Sequence, residues 1–194
     1  MKIGLMGGTF DPIHFGHLFI AEEARTKLGL SKVIFVPSGR PPHKERNYLS
    51  PAKDRIEMTS LAIRGNPFFE LSDIEVKSDE ISFTVRTIVS FRNVVGKEAA
   101  LYLIMGSDSL AELGTWKDPE KILDECTVVA VRRPGCKTPE PEELRRQKVS
   151  VIDSQGVEIS STEIRRRIGR GESVRYLMPD AVLSYIASHG LYRS

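Results

Sequence analysis

The sequence predicts an α/β protein in which helices cover both faces of a doubly wound parallel sheet. Short apolar runs, typical of strands buried on both faces, recur at residues 2–6, 33–36, 99–105, 128–131 and 149–152. Segments with helical start or stop signals separate several of these runs, which favours parallel crossover connections. Polar or glycine-bearing corners follow the first three runs, and such corners meet at one edge of a parallel sheet.

Local signals define the elements of the first third of the chain. The first strand leads through a glycine-rich corner into a helix over residues 18–28, which Gly29 ends. Pro37 closes the second strand, and a polar, proline-rich loop follows over residues 38–47. The next helix begins at Ser50-Pro51, with proline at its first position and Gly65 beyond its end.

The remaining elements follow the same logic. Residues 68–76 alternate between apolar and polar side chains, which predicts a strand, and residues 84–95 form a helix that closes at Gly96. A proline- and glutamate-rich surface loop at 134–141 separates the strands at 128–131 and 149–152. Ser160 and Glu163 have the spacing of a capping box, which predicts a helix start. A terminal amphipathic helix covers residues 179–189, with Gly190 as its cap.

The composition is that of a single globular domain over residues 1–194, with 40% hydrophobic and 28% charged residues. A formal net charge of +2 gives no strong bias towards nucleic acid or an anionic membrane. No apolar run approaches the roughly 20 residues of a membrane span, and the first strand leaves no room for a signal peptide. We expect a cytoplasmic protein with two free thiols, Cys126 in the core and Cys136 in a loop.

The most informative stretch is Gly-Gly-Thr-Phe-Asp-Pro-Ile-His-Phe-Gly-His at residues 7–17. Glycine at a strand-to-helix corner lets backbone N–H groups approach an anion, and the helix N-terminus adds partial positive charge. His14 and His17 add side-chain donors that can become cationic. The pattern predicts a polyphosphate site, while a histidine metal site and a glycine turn with incidental histidines stay open as alternatives.

A second candidate anion site is Ile-Ser-Ser-Thr-Glu-Ile-Arg at residues 159–165. The predicted helix start offers free N–H groups and three hydroxyls, and Arg165 lies about one turn into the helix. An ordinary capped helix with a solvated basic face would have the same local sequence. The three arginines at 165–167 fan around a helix instead of forming one basic face, so we expect no nucleic-acid binding.

Together, G-x-F-x-P-x-H-x-G-H and I-S-S-T-x-I-R make the chain similar to the nucleotidyltransferase superfamily of adenylyl- and cytidylyltransferases. Over essentially its whole length it resembles, more narrowly, the family of bacterial nicotinate-mononucleotide adenylyltransferases. The internal motifs that carry this resemblance are Pro41-Pro42-His43-Lys44, Ile81-Ser82-Phe83-Thr84-Val85, Gly106-Ser107-Asp108-Ser109-Leu110 with Trp116, Arg132-Arg133-Pro134-Gly135 and Gly190-Leu191-Tyr192. The resemblance implies a Rossmann-like fold and transfer of AMP from ATP to nicotinate mononucleotide in NAD biosynthesis.

The resemblance also implies roles on the ATP side. His14 and His17 would contact the ATP phosphates, with His17 nearest the α-phosphate, and Lys44, Ser161 and Arg165 would hold the outgoing pyrophosphate. The catalytic set would be His14, His17, Lys44 and Arg165. The remaining ATP contacts would be Gly8, Thr9, Phe10, Gly106, Ser160 and Asp108, the last at the ribose. Mg²⁺ would be held by substrate phosphates and water, with no protein ligand.

The implied acceptor contacts are Thr84 and Trp116 at the pyridine ring and Arg133 at the acceptor phosphate, which a guanidinium fork suits. Trp116 as a surface-to-core anchor and Arg133 as a solvated arginine stay open as alternatives. The sequence departs from the family at Arg86, because the family usually has an acidic residue two positions after the threonine. The departure bears on acceptor recognition and leaves the ATP half unchanged.

Two rival functions remain at this point. Phosphopantetheine adenylyltransferases and cytidylyltransferases share the first motif, but they tend to be shorter and lack the Ser82-Phe83-Thr84 and Trp116 set. A non-catalytic ATP-binding protein on the same scaffold would not need His14, His17, Lys44 and Arg165 together. The choice between the acid and the amide mononucleotide, and the formation of a homo-oligomer, are left open by the sequence.

Overall fold

The computed structural model of the chain describes residues 1–42, 49–132 and 149–193, leaving out the Asp108 side chain. Six parallel strands form one sheet in the order β3-β2-β1-β4-β5-β6. They are β1 Lys2–Gly8, β2 Lys32–Pro37, β3 Phe69–Leu71, β4 Ala100–Gly106, β5 Thr127–Arg132 and β6 Val149–Asp153. The predicted α/β class with a parallel sheet is confirmed.

Helices connect the strands across both faces of this sheet. They are α1 Phe15–Leu28, α2 Ala52–Ile63, α3 Thr84–Val95, the short α4 Ser107–Leu110, α5 Pro119–Glu125, α6 Ser161–Gly169 and α7 Asp180–Ser188. The predicted glycine stops are confirmed at Gly29 and Gly96, whose φ angles of 62° and 76° lie where other residues are disfavoured. Pro51 takes the N-cap position, one residue before the first helical residue.

The core lies in two layers, one on each face of the sheet. One layer packs β1, β2, β4 and β5 against α1, α2, α6 and α7, through side chains such as Ile20, Met58, Ile164 and Val182. The other packs the opposite strand faces against α3 and α5, through Val85, Ile88 and Ile122. The Cys126 thiol lies in this second layer, as predicted, and burial raises its pKa to about 12. This two-faced burial explains why the central strands are continuously apolar.

The winding of the sheet reverses at β1, which pairs with β2 on one side and with β4 on the other. In an open parallel sheet, a crevice forms beyond the carboxyl ends of the strands at such a reversal. The corners after Gly8, Pro37 and Gly106 therefore lie at one edge of the sheet. The sequence predicted this convergence.

The predicted strand over residues 68–76 is wrong in its length, because only Phe69–Leu71 pairs with β2. The chain then turns, with the Lys77 N–H donating to the Asp73 carbonyl oxygen at 2.9 Å. The apolar alternation continues past Leu71 because Ile74 packs against the second core layer from this turn. Alternation therefore indicated which side chains are buried and not how far the sheet extends.

The predicted capping box is also wrong, although the helix start at Ser160 is confirmed. Ser160 makes no side-chain capping hydrogen bond, and the Glu163 carboxylate accepts hydrogen bonds from Arg166 and Arg167. These bonds lower the pKa of Glu163 to about 2. Helices α4 and α5, and a 3-10 turn at Leu113–Thr115, were not predicted. No helix within the described ranges combines the length and apolar character needed to cross a membrane.

Candidate active site

A cleft of about 780 Å³ opens at the carboxyl ends of β1 and β4. Among the predicted catalytic and binding residues, those that line it are Gly8, Thr9, Phe10, His17, Thr84, Gly106, Trp116 and Ser161. The cleft therefore brings the N-terminal motif, the second motif and the two implied pyridine contacts around one space. A site of this size and position can hold two small nucleotides side by side.

The corner between β1 and α1 forms one wall of the cleft. The ring of His14 stacks on that of His17 with 3.7 Å between centroids, and Phe10 meets His17 edge-on at 5.1 Å. His14 is only 3% exposed and lies outside the cleft lining, so His17 is the histidine that faces the cleft. Gly16 permits this packing, because a Cβ there would lie 3.0 Å from the His14 ring. The predicted phosphate contact of His14 stays a prediction.

Two hydrogen bonds join the sequence motifs that stand at opposite ends of the chain. The Ser161 hydroxyl donates to the carbonyl oxygen of Pro12 at 2.9 Å. Arg165 donates from Nη1 to the carbonyl oxygen of Asp11 at 2.7 Å. The start of α6 therefore lies directly against the N-terminal corner, and both predicted anion sites form one surface.

A buried arginine that the sequence analysis missed supports this surface from below. Arg55 of α2 is 2% exposed, and its guanidinium donates to the carbonyl oxygens of Thr9, Ser38 and Ser50 at 3.0, 2.7 and 3.0 Å. Burial lowers its pKa, and the facing Asp11 opposes that shift. Helical spacing is the signal that could have identified Arg55. It falls on the same face of α2 as the buried Met58 and Thr59, so a charged residue lies on the core-facing side of the helix.

The other end of the cleft carries the implied acceptor contacts. Thr84 begins α3, and Trp116 both lines the cleft and packs against the second core layer. Glu75, which the sequence analysis also missed, lies beside them and accepts a hydrogen bond from the Thr87 hydroxyl. Burial raises the pKa of Glu75, and the hydrogen bond from Thr87 opposes the rise. Gly39 makes room for this turn, since a Cβ there would lie 2.1 Å from the Glu75 carbonyl oxygen.

Helix N-termini give the cleft a positive electrostatic character. Helices α1, α3 and α6 all begin beside it, and neither α1 nor α3 has an acidic residue in its first turn. Each start contributes about half a positive charge. The arrangement favours a polyanion such as the triphosphate of a nucleotide.

The other predicted catalytic and binding residues lie outside the cleft lining or outside the described part of the chain. Ser160 takes the N-cap position of α6 and lies outside the cleft lining. Lys44, Arg133 and the Asp108 side chain lie outside the described part of the chain, as does the loop at 134–141 with Cys136. Arg86 lies outside the lining and pairs with Glu80 at 2.7 Å. Its departure from the family pattern therefore forms a local ion pair at the surface.

Comparison with known proteins gives consistent results. The cytidylyltransferase-like family matches residues 5–167. A probable nicotinate-nucleotide adenylyltransferase of Moorella thermoacetica is 46% identical, covering 99% of this chain and 92% of that protein. One of Thermoanaerobacter sp. is 42% identical, covering 100% of this chain and 95% of that protein.

The fold is likewise similar to solved structures. The Plasmodium falciparum nicotinic acid mononucleotide adenylyltransferase complexed with NaAD superposes with a TM-score of 0.84 at 20% identity, covering 98% of this chain and 97% of that one. That similarity bears on the fold, whereas the full-length matches at 42% and 46% identity bear on the family. The chain therefore belongs to the cytidylyltransferase-like family and, within it, to the nicotinate-nucleotide adenylyltransferases.

Proposed function

We propose that the cleft transfers AMP from ATP to nicotinate mononucleotide, giving nicotinate adenine dinucleotide and pyrophosphate for NAD biosynthesis. The observation that carries the proposal is the single cleft of about 780 Å³ in which a positive phosphate corner faces the implied pyridine contacts Thr84 and Trp116. The relatives' names identify the reaction class, and the geometry supplies a place for both substrates. We further propose that residues 1–194 act as one domain, and that the protein works in the cytoplasm, where ATP is available.

The chemistry needs alignment more than covalent catalysis. A phosphate oxygen of the mononucleotide attacks the α-phosphorus of ATP, a new P–O bond forms, and the bond to the β-phosphate oxygen breaks to release pyrophosphate. The acceptor phosphate is already ionised near neutral pH, so the step needs no general base. The protein must hold two polyanions in line and stabilise charge on the equatorial and leaving oxygens.

The residues have the following proposed roles in that step. His17 faces the α-phosphate, where charge develops, and the stacked His14 supports it from behind. Ser161 and Arg165, with Lys44, hold the outgoing pyrophosphate. The ribose contact is Asp108, and the acceptor phosphate is held by Arg133. The stacking of His17, which lines the cleft, on the buried His14 supports the first assignment, and the contacts between α6 and the corner support the second.

We propose that Mg²⁺ arrives with ATP and is held by phosphate oxygens and water. Among the described residues, no group of three or more His, Cys, Asp or Glu side chains could hold a metal ion. The one buried carboxylate at the corner, that of Asp11, accepts hydrogen bonds from Tyr192 and from the Ser50 N–H. Each of its two oxygens therefore already accepts one hydrogen bond from the protein. The ion would neutralise part of the polyphosphate charge.

The test is pyrophosphate release by the purified protein with magnesium-ATP and one of three acceptors. The acceptors are nicotinate mononucleotide, nicotinamide mononucleotide and phosphopantetheine. We expect turnover with the first and far less with the other two. Equal use of both pyridine nucleotides would keep the reaction and correct the specificity. Turnover with phosphopantetheine alone, or with none of the three, would overturn the proposal.

A further inference from the structure

The C-terminal end of the chain reaches the phosphate corner. The Tyr192 hydroxyl donates a hydrogen bond of 2.5 Å to Oδ1 of Asp11, which is only 1% exposed. Burial raises the pKa of Tyr192, so the phenol stays protonated and remains a donor. Tyr192 adopts a φ of 64°, which is uncommon for a residue with a side chain. An uncommon backbone conformation therefore coincides with the contact to Asp11.

Asp11 joins the chain end to the ATP side of the cleft. Its second carboxylate oxygen accepts from the Ser50 N–H at 3.2 Å, and its carbonyl oxygen accepts from Arg165 at 2.7 Å. Asp11 follows Phe10 directly, and both line the cleft. Tyr192 and Arg165 therefore both bond to Asp11, Tyr192 at its side chain and Arg165 at its main chain.

We propose that Tyr192 is a positioning residue for the ATP end of the site, acting through Asp11 on the placement of Arg165 and the phosphate corner. The inference rests on the proposed function, because the end of the cleft that it acts on is the one assigned to the triphosphate. The acceptor end, at Thr84 and Trp116, has no described contact with Tyr192 and keeps its geometry when this hydrogen bond is lost.

The test compares Tyr192→Phe with Tyr185→Phe. Both variants lose one tyrosine hydroxyl that donates to an aspartate, since Tyr185 donates to Asp54 at 2.8 Å on the far side of α2. We expect Tyr192→Phe to lower kcat/KM for ATP about tenfold or more, because a small misplacement of a binding group costs rate steeply. The KM for nicotinate mononucleotide should stay within about twofold of wild type, and Tyr185→Phe should leave both substrates unchanged.

A binding measurement and a replacement variant separate the positioning role from effects on turnover or folding. Calorimetric binding of a non-hydrolysable ATP analogue should weaken for Tyr192→Phe alone, which does not require turnover. If Tyr192→Phe does not fold in urea titrations, Asp11→Asn replaces it, and we expect the same selective loss on the ATP side. Equal losses for both substrates, or unchanged kinetics, would overturn the positioning role. Absence of adenylyl transfer by the wild-type protein would instead overturn the proposed function.

Discussion

Replacing Arg55 with methionine should destabilise the protein strongly, although Arg55 is not predicted to touch a substrate. The side chain donates to three main-chain carbonyl oxygens, those of Thr9, Ser38 and Ser50. Each of these half-buried carbonyl oxygens costs about 1 kcal/mol when it loses the arginine as donor, and the facing Asp11 carboxylate loses a counter-charge. Three such losses, together with the lost counter-charge, set an expected loss of about 3–5 kcal/mol.

This loss is measurable by urea and thermal unfolding. For a chain of this length, about 3–5 kcal/mol corresponds to a fall in Tm of roughly 6–20 °C. Arg166→Met is the matched control, because Arg166 pairs with Glu163 on the exposed side of α6 and should give a far smaller shift. Arg55→Lys keeps the charge but not the planar fork, so its loss should fall between wild type and methionine.

A loss below about 1 kcal/mol for Arg55→Met would refute the reasoning. It would mean that water or a rearranged main chain replaces all three hydrogen bonds, and that the corner does not depend on the arginine. A large loss for Arg166→Met would refute it as well, since exposure would then fail to distinguish the two sites.

The other predictions concern the cleft. His17→Ala should lower turnover about 100-fold with little change in Tm, because the ring faces the cleft and stabilises charge that develops in the transition state; near-wild-type pyrophosphate release would remove it from the mechanism. Trp116→Ala should raise the KM for the acceptor far more than that for ATP, whereas equal effects would make it a core anchor only. For Glu75, whose folded pKa lies above its ordinary value, the native state holds its proton longer than the unfolded chain, so stability falls as pH rises through that window. The difference in urea unfolding midpoint between Glu75→Gln and wild type should therefore change in favour of the variant as pH rises through that window. A difference that does not change with pH would contradict the raised pKa.

The sheet could be predicted from the sequence because its strands are continuously apolar. A run such as residues 128–131 has apolar side chains on both faces of the strand, which indicates that both faces are buried. Helix ends could also be predicted where glycine allows a positive φ, as at Gly29 and Gly96. The length of β3 was not, because Ile74 is buried from a turn as effectively as from a strand.

The site was predictable where its chemistry is local in sequence and unpredictable where it depends on tertiary contacts. The glycine corner and its histidines follow directly from a strand-to-helix motif. Arg55, Glu75 and the Tyr192–Asp11 contact depend on which distant main-chain groups they meet. The capping prediction failed for a related reason: Glu163 had two arginines within one turn, and charged partners replaced the backbone N–H.

The hydrogen bonds around the phosphate corner have a common effect on its electrostatics. The carbonyl oxygens of residues 8, 9, 11 and 12 accept hydrogen bonds from the Ser38 N–H, Arg55, Arg165 and the Ser161 hydroxyl respectively. A carbonyl oxygen carries partial negative charge, which would repel a triphosphate at short range. Each donor, two of them cationic, offsets that charge, so the field that a bound anion meets is positive, with contributions from the helix N-termini and from the Arg165 guanidinium. The supporting contacts therefore contribute to anion binding even where their own side chains do not reach the ligand.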